Sequence, residues 1–130
     1  MNEHSDRLDA FKKQFPRVLQ NSNLPWGLEC GPGWDALLAD LLFRIDTILS
    51  EYPACTANVV QIKEKFGALR FYCQVDGDDN AGRDAAAEAI SRAIRHAEHI
   101  SAGTCENCGQ PSSIRGAELL TTICPNCASR

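Results

Sequence analysis

Two Cys-x-x-Cys pairs close this chain, Cys105 with Cys108 and Cys124 with Cys127. Two thiolates on one tight turn hold the same ion, and two such turns complete a tetrahedral shell of sulfur ligands. Zn2+ suits an all-thiolate tetrahedral shell well. The spacing therefore predicts a zinc ribbon or zinc knuckle over residues 104–130, with these cysteines as the metal ligands.

Disulfides or two unrelated redox pairs are the alternative interpretation of the same cysteines. Against it, each pair is followed by a small residue, Gly109 or Ala128, and no thioredoxin-like βαβ pattern lies nearby. A shell of four thiolates leaves no open position for water or substrate, so the predicted zinc is structural rather than catalytic. A segment this short buries too little apolar surface to fold alone, and metal binding would supply on the order of 10 kcal/mol of its folding free energy.

Charge and composition narrow the class of protein. The net charge is -4 and the isoelectric point is near 5.3, whereas non-specific nucleic-acid binding needs a basic surface. The N-terminus opens with polar residues and no apolar run is long enough to span a bilayer, so we expect neither a signal peptide nor a membrane contact. We therefore expect a cytoplasmic protein, in a bacterium or an infected host cell, with reduced cysteines. Cys30, Cys55 and Cys73 are then small apolar side chains.

Apolar residues recur at helical spacing in three segments. Residues 4–20 predict a short helix with an extension, interrupted at Pro16. Residues 34–52 carry the strongest pattern, which ends at Pro53. Residues 79–101 carry a narrow apolar stripe made of Ala85, Ala89, Ile90, Ala93, Ile94, Ala97 and Ile100.

Between the second and third predicted helices the hydrophobic period changes to two. Over residues 57–75 apolar and polar residues alternate on both sides of Phe66-Gly67, which predicts a β-hairpin with a positive φ at Gly67. The predicted apolar face consists of Val60, Ile62, Leu69, Phe71, Cys73 and Val75. The sequence therefore predicts an α+β fold, with helices packed on a β-hairpin or small antiparallel sheet over residues 1–103 and the zinc segment over 104–130.

Residues 21–33 lie between the first two predicted helices and contain many turn-forming residues. This composition predicts an ordered loop. We expect Trp26 to pin the loop to the core, because an indole contributes a large apolar area when it is buried.

The segment from Gln61 to Tyr72 resembles a motif of a family of small uncharacterised proteins found in phages, prophages and bacteria. In this chain the segment reads Gln-Ile-Lys-Glu-Lys-Phe-Gly-Ala-Leu-Arg-Phe-Tyr. It follows a Gly-Trp helix start at Gly33-Trp34 and precedes a Cys-x-x-Cys-Gly knuckle that ends at Gly109, an arrangement similar to that family. The resemblance covers about residues 30–127.

The chain departs from the family pattern at two positions. Ala68 stands where the family usually has a second glycine, and Cys127 where relatives often have histidine. The first departure indicates that the turn needs only one unrestricted residue, and the second is neutral for zinc because both side chains ligate it. The resemblance implies an origin among mobile genetic elements, and it implies no particular chemistry.

His96 and His99 are candidate metal ligands, because residues three apart share a face of a helix. They could hold a metal together with Glu98 or a cysteine. Two solvated histidines near a helix C-terminus, where positive charge is favoured, are the simpler interpretation.

Other catalytic or ion-binding patterns are incomplete. Residues 76–80 resemble the start of an EF-hand loop, but Ala81 and Ala87 stand where its glycine and glutamate belong. A cysteine–histidine nucleophile would use Cys30 or Cys55, and neither has a basic sequence neighbour to lower its thiol pKa. Nucleophile-elbow, phosphate-loop and dinucleotide-binding motifs are missing from the sequence. We therefore expect no enzymatic activity.

A protein-interaction module is the function that we favour from the sequence. Its contact surface would be the polar face of the hairpin, with Lys63, Lys65, Arg70 and Tyr72, docked on a host or phage protein. An inhibitor of a bacterial defence complex and an immunity partner of a toxin are special cases of this function. The sequence does not choose between them.

A nucleic-acid-binding zinc ribbon with a regulatory role is the alternative. In that hypothesis Arg115 and Arg130 join the cations of the hairpin in one basic stripe. The acidic net charge weighs against it. For the hairpin cations, ordinary solvated strand polarity remains the simplest explanation.

Overall fold

The computed structural model describes residues 3–22 and 24–129, and within that part of the chain the fold is α+β, as predicted. The elements follow in the order α1 (Glu3–Gln14), α2 (Pro16–Leu19), β1 (Leu28–Glu29), α3 (Asp35–Glu51), β2 (Cys55–Lys65), β3 (Ala68–Gly77), α4 (Asn80–Ser101) and α5 (Pro125–Ala128). A short 3-10 turn, Pro32–Trp34, leads into α3. Among the described residues, no helix is both long and apolar enough to cross a bilayer.

The sheet contains three strands in the order β1-β2-β3. β2 and β3 form the predicted hairpin and pair antiparallel. β1 pairs parallel with β2, with Leu28 opposite Ile62 and Glu29 opposite Lys63, so the sheet is mixed rather than wholly antiparallel. A strand of two residues is too short to show a hydrophobic period, and the sequence pattern therefore does not predict β1.

The hairpin turn lies at Phe66-Gly67, as predicted. Gly67 has a φ of 85° and Phe66 a φ of 56°. Positive φ at both central residues is the geometry of a type I′ turn, whose twist matches that of the flanking strands. Phenylalanine is uncommon in this conformation because of its Cβ. The Phe66 ring is exposed to solvent, and Lys65 Nζ lies 5.4 Å from the ring centroid.

The predicted apolar face of the hairpin is wrong at Val60. The pairing passes from Val59–Cys73 directly to Gln61–Tyr72, so Val60 is an extra residue in β2 and forms a β-bulge. The bulge shifts the alternation by one residue, so that Val59 is buried while Val60 turns outward and is 38% exposed.

The core lies between the inner face of the sheet and the long helices. α3 buries Leu38, Leu41, Leu42, Ile45 and Leu49, and Trp34 is fully buried just before it. α4 buries Ala86, Ile90, Ala93, Ala97 and Ser101. The stripe predicted for this helix is therefore wrong at its ends, because Ala85 is exposed and Ser101 takes the buried place instead of Ile100.

Polar side chains satisfy the outer edge of β3 and the part of β2 that β1 does not reach. Ser101 Oγ accepts a hydrogen bond from Leu69 N (2.8 Å), and Glu98 Oε2 accepts one from Phe71 N (3.4 Å), so α4 covers the outer edge of β3. On the other side of β2, where β1 does not reach, Ser22 Oγ accepts from Val59 N (2.8 Å). Covered edges do not template pairing with another chain.

The N-terminal region departs from the sequence expectation at Trp26. Pro16 interrupts the first helical segment as predicted, although the extension beyond it is itself the short helix α2. Trp26 does not pin the 21–33 loop, since it is 73% exposed. Leu24 and Leu28, both buried, anchor the loop on either side of it.

We predict that Ser101→Ala lowers the free energy of unfolding by about 2 kcal/mol, because the Leu69 N–H then stays buried without an acceptor. Chemical denaturation measures this change. Ser50→Ala is the matched control, because the Ser50 hydroxyl bonds only a helix carbonyl on the exposed side of α3. We expect the control to change stability by less than about 0.5 kcal/mol. Equal effects of the two variants would contradict the role assigned to Ser101 Oγ.

Candidate metal centre and outer sheet face

The structure brings the four predicted ligands together. One sulfur each from Cys105, Cys108, Cys124 and Cys127 lies within 4.8 Å of the others. The Sγ atoms of Cys108 and Cys124 are 3.7 Å apart, and all four residues are free thiols. Metal–sulfur bonds of about 2.3 Å in a tetrahedron give sulfur–sulfur edges of about 3.8 Å, whereas a disulfide needs about 2.05 Å. The cluster therefore fits a metal ion and does not fit disulfide pairs.

Each pair lies on a tight turn that is closed by backbone hydrogen bonds. In the first, Gly109 N donates to Cys105 O (2.9 Å), and Gly109 has a φ of 81°. In the second, α5 starts directly after Cys124, and Ala128 N donates to Cys124 O (2.9 Å). Cys124 N also donates to Cys105 Sγ (3.2 Å), which joins the two turns. Such N–H donors stabilise thiolate ligands and orient them.

The electrostatics of the cluster favour a cation. Burial tends to raise the pKa of Cys105, but the backbone N–H groups of Cys124, Cys108 and Asn107 outweigh burial and lower that pKa to about 6. Desolvation and the hydrogen bonds of its three thiol neighbours raise the pKa of Cys127 to about 12. Thiolates packed this closely repel one another, so the shell ionises fully only when a metal ion neutralises it.

The first metal-binding turn packs against the loop before α3. Gly33 N donates to Glu106 O (2.7 Å), and Gly31 N donates to Glu106 Oε2 (2.8 Å). The Trp34 indole donates to Thr104 O (2.9 Å) from inside the core. Glu106 lies between Cys105 and Cys108, so the same turn that carries two ligands also holds this loop.

Only glycine fits this contact at Gly31 and Gly33. A Cβ at Gly33 would lie 2.2 Å from Cys105 O, and a Cβ at Gly31 would lie 2.6 Å from Glu106 O. Sequence reasoning missed Glu106 and both glycines as parts of the site. The two glycines of Gly31-Pro32-Gly33 were the sequence signal for this contact, because glycine is used where two backbones approach closely.

Burial of Cys30 opposes ionisation of its thiol. It has no basic neighbour in the sequence, but the fold brings Arg7 Nη1 to within 2.9 Å of Cys30 O. Burial nevertheless dominates over Arg7 and raises the pKa of the Cys30 thiol to about 12. Burial likewise raises the pKa of the Cys73 thiol to about 11. Both therefore stay protonated near neutral pH, and Cys55 is also buried in the apolar core.

The other candidate ligands do not assemble. His96 and His99 are exposed on α4, and the four-cysteine group is the only cluster of potential metal ligands among the described residues. In the segment that resembles an EF-hand loop, Asp79 caps α4 instead, because its Oδ2 accepts from Gly82 N (3.1 Å).

The predicted partner residues Lys63, Lys65, Arg70 and Tyr72 share the outer face of the sheet, the face opposite to the buried Ile62, Leu69 and Phe71. Lys63 and Arg70 are directly opposite in the β2–β3 register. Tyr72 pairs with Gln61 in the next row and is 42% exposed. We call this surface the outer sheet face.

The charges of the outer sheet face are not neutralised within the described chain. Among the described residues, no ion pair includes Lys63, Lys65 or Arg70. Glu29 is in register with Lys63, but its carboxylate accepts a hydrogen bond from Gln61 Nε2 (3.0 Å). Like charges directly opposite each other destabilise a sheet, so the Lys63–Arg70 pair is unfavourable for folding.

The basic stripe of the nucleic-acid hypothesis stays a prediction. The Arg115 guanidinium donates to Ile123 O and braces the segment between the cysteine pairs. The neighbouring Ile114 lies against the hairpin turn, since a Cβ at Gly67 would be 3.0 Å from the Ile114 side chain. Arg130, the other arginine of that hypothesis, lies outside the described residues.

Comparison with protein-family models, with curated proteins and with solved structures finds no match for this chain.

We predict that Gly33→Ala lowers the free energy of unfolding by about 3 kcal/mol, because the new Cβ forces Cys105 O away from the loop. Gly103→Ala is the matched control, since a Cβ there meets its nearest atom at 3.7 Å, an ordinary contact. We expect a change below about 0.5 kcal/mol for this control. Thermal and chemical denaturation measure both, and a Gly33→Ala protein as stable as the control would refute the contact.

Proposed function

We propose that the ion held by Cys105, Cys108, Cys124 and Cys127 is zinc and that its role is structural. The 3.7 Å separation of Cys108 and Cys124 sulfurs is close to the edge of a zinc–thiolate tetrahedron, about 3.8 Å. Four thiolates fill the tetrahedron, so a bound zinc has no position for water or substrate. The metal then stabilises the turn that supports the loop before α3.

We propose further that the chain is a non-enzymatic protein-interaction module and that it binds its partner through the outer sheet face. The observation that carries this proposal is the Lys63–Arg70 pair, two cations in direct register with no ion-pair partner in the described chain. A partner carboxylate would relieve this repulsion. Arginine and tyrosine side chains are also the ones that most often dominate the binding energy of protein interfaces.

The biological setting that we propose follows from the resemblance of the segment 61–72 to proteins of phages and prophages. We propose that the chain is encoded by a phage or another mobile element and acts in the cytoplasm. There it would bind a host protein, such as a component of a defence system, and modulate or inhibit it without turnover. Immunity against a toxin is a second form of the same activity.

Nucleic-acid binding is the second candidate function, and the same face supports it. Cations beside an exposed aromatic ring, as Arg70 lies beside Tyr72 on β3, are typical of sheet surfaces that stack bases and contact phosphates. The net charge of -4 opposes accumulation of polyanions around the protein. We therefore rank it below protein binding.

We predict one zinc per chain in protein purified without chelator, measured by elemental analysis. X-ray absorption at the zinc edge should show only sulfur neighbours, at about 2.3 Å. Cys127→Ser should lose most of the zinc, whereas Cys73→Ser, outside the cluster, should retain it. Zinc well below one per chain, or oxygen neighbours in place of sulfur, would contradict the proposal.

We predict that Arg70→Glu combined with Tyr72→Ala weakens partner binding by about 3 kcal/mol, because arginine and aromatic anchors dominate such interfaces. The partner is first isolated from host lysate with the tagged chain, identified by mass spectrometry, purified and titrated by calorimetry. Phe43→Ala combined with Arg44→Glu is the matched control, since these residues are an exposed aromatic and an exposed arginine on α3. Both double variants should remain folded.

Two results would decide against the outer sheet face as a protein-binding surface. One is a partner that binds the Arg70→Glu, Tyr72→Ala variant as tightly as the unmodified chain. The other is sub-micromolar binding of DNA or RNA at about 150 mM salt that falls steeply as salt is added, which indicates phosphate contacts.

A further inference from the structure

Trp26 is exposed because the local backbone holds it there. The flanking Leu24 and Leu28 are buried, and Gly27 N donates to Leu24 O (2.9 Å) with a φ of 67° at Gly27. This anchored turn directs the indole away from the core and leaves it 73% exposed. Exposure forfeits the large apolar burial that an indole usually contributes. Tryptophan in such positions is enriched among residues that dominate binding.

Trp26 lines a groove of about 880 Å3, which we call the Trp26 groove. One side is α1, which contributes Leu8, Asp9 and Lys12, and another is the first metal-binding turn, which contributes Glu106 and Asn107. Both residues of β1, Leu28 and Glu29, also line the groove. Its volume is in the range of about 300–1,000 Å3 typical of ligand pockets.

The Trp26 groove favours a cationic occupant. Its lining residues include three acidic ones, Asp9, Glu29 and Glu106, against one basic residue, Lys12, which leaves an excess of negative charge. The Glu29 carboxylate also accepts a hydrogen bond from Gln61 Nε2, and the Glu106 carboxylate accepts one from Gly31 N. In the described chain, Asp9 and Glu29 form no ion pair that would cancel their charges. A cation above an indole gains an attraction to the ring in addition to the Coulomb attraction of the carboxylates.

The backbone along the groove favours an extended occupant. β1 is an edge strand, with β2 on one side only. Apart from its pairing with β2, the backbone of Leu28 and Glu29 takes part in no hydrogen bond within the described residues. An extended segment that lies beside β1 can form main-chain hydrogen bonds there, while alternate side chains reach the groove walls.

We propose that the Trp26 groove binds an extended segment of a partner protein that carries lysine or arginine. One cationic side chain lies over the indole, near Asp9 and Glu29, and the segment runs along β1. This inference concerns a different surface from the outer sheet face and does not rest on it. If one of the two proposed binding surfaces proves wrong, the other proposal is unaffected, because the two surfaces require partner groups of opposite charge.

An NMR titration of the metal-loaded, 15N-labelled full chain tests the proposal with two peptides. The probe is acetyl-Lys-Thr-Lys-Thr-Lys-Thr-amide, and the uncharged control replaces each lysine with glutamine. We expect the lysine peptide to shift the Trp26 indole and the amides of Asp9 and Glu29, with a dissociation constant about tenfold lower than that of the control. The Trp34 indole is fully buried and serves as an internal reference that does not move.

Variants assign the binding to the groove. Trp26→Ala, and separately Asp9→Asn combined with Glu29→Gln, should each raise the dissociation constant of the lysine peptide by about fivefold or more. Phe43→Ala removes an exposed aromatic outside the groove, and Asp78→Asn removes an exposed carboxylate outside it, so both should leave the constant unchanged. Trp26, Asp9 and Glu29 are all exposed, so each variant should fold, and unchanged amide spectra elsewhere confirm that it has.

Several outcomes would overturn the proposal. Equal affinities of the two peptides would show that charge does not drive binding. Unchanged affinity in Trp26→Ala would show that the indole does not contribute to it. Spermidine that binds as tightly as the lysine peptide would assign the groove to a small polyamine instead of a protein segment. Shifts of the same resonances on concentrating the protein alone would assign it to a second copy of this chain.

Discussion

The contact between the first metal-binding turn and the loop before α3 determines how this fold closes. Gly33 N meets Glu106 O at 2.7 Å, and even a methyl group at Gly33 would collide with the backbone at Cys105. Because Glu106 lies between two of the cysteines, an ion held by the thiols also fixes this acceptor. The C-terminal segment has too little apolar surface to fold alone. Its packing against the Gly31–Trp34 loop makes it part of the larger unit.

Two surfaces of opposite charge lie side by side along β1. The outer sheet face has Lys63 opposite Arg70, whereas the Trp26 groove has Asp9 and Glu106. Glu29 lies at their boundary, since it is in register with Lys63 and also lines the groove. Neighbouring patches of opposite sign orient a partner and reject wrong ones more than they add affinity. The proposed protein-binding role would use both patches in this way.

Features that depend on local chemistry could be predicted from the sequence. The cysteine spacing predicts the ligand cluster because coordination geometry dictates it, and Phe66-Gly67 predicts the turn because few residues adopt positive φ. The bulge at Val60 and the strand β1 could not be predicted, because each depends on pairing with residues distant in sequence. The exposure of Trp26 could not be predicted either. Its large apolar side chain favours burial, but the anchored turn around it directs the indole into solvent.

Amide hydrogen exchange, measured on the metal-loaded chain and again after chelation, tests most directly whether the metal centre organises the loop before α3. We predict that chelation speeds exchange at Gly31 N, Gly33 N and the Trp34 indole by at least about tenfold, while amides that pair β2 with β3 remain protected. Restoring the metal should restore protection. If chelation removes the protection of the Cys105 amide but leaves that of Gly33 N unchanged, the metal centre does not organise this loop.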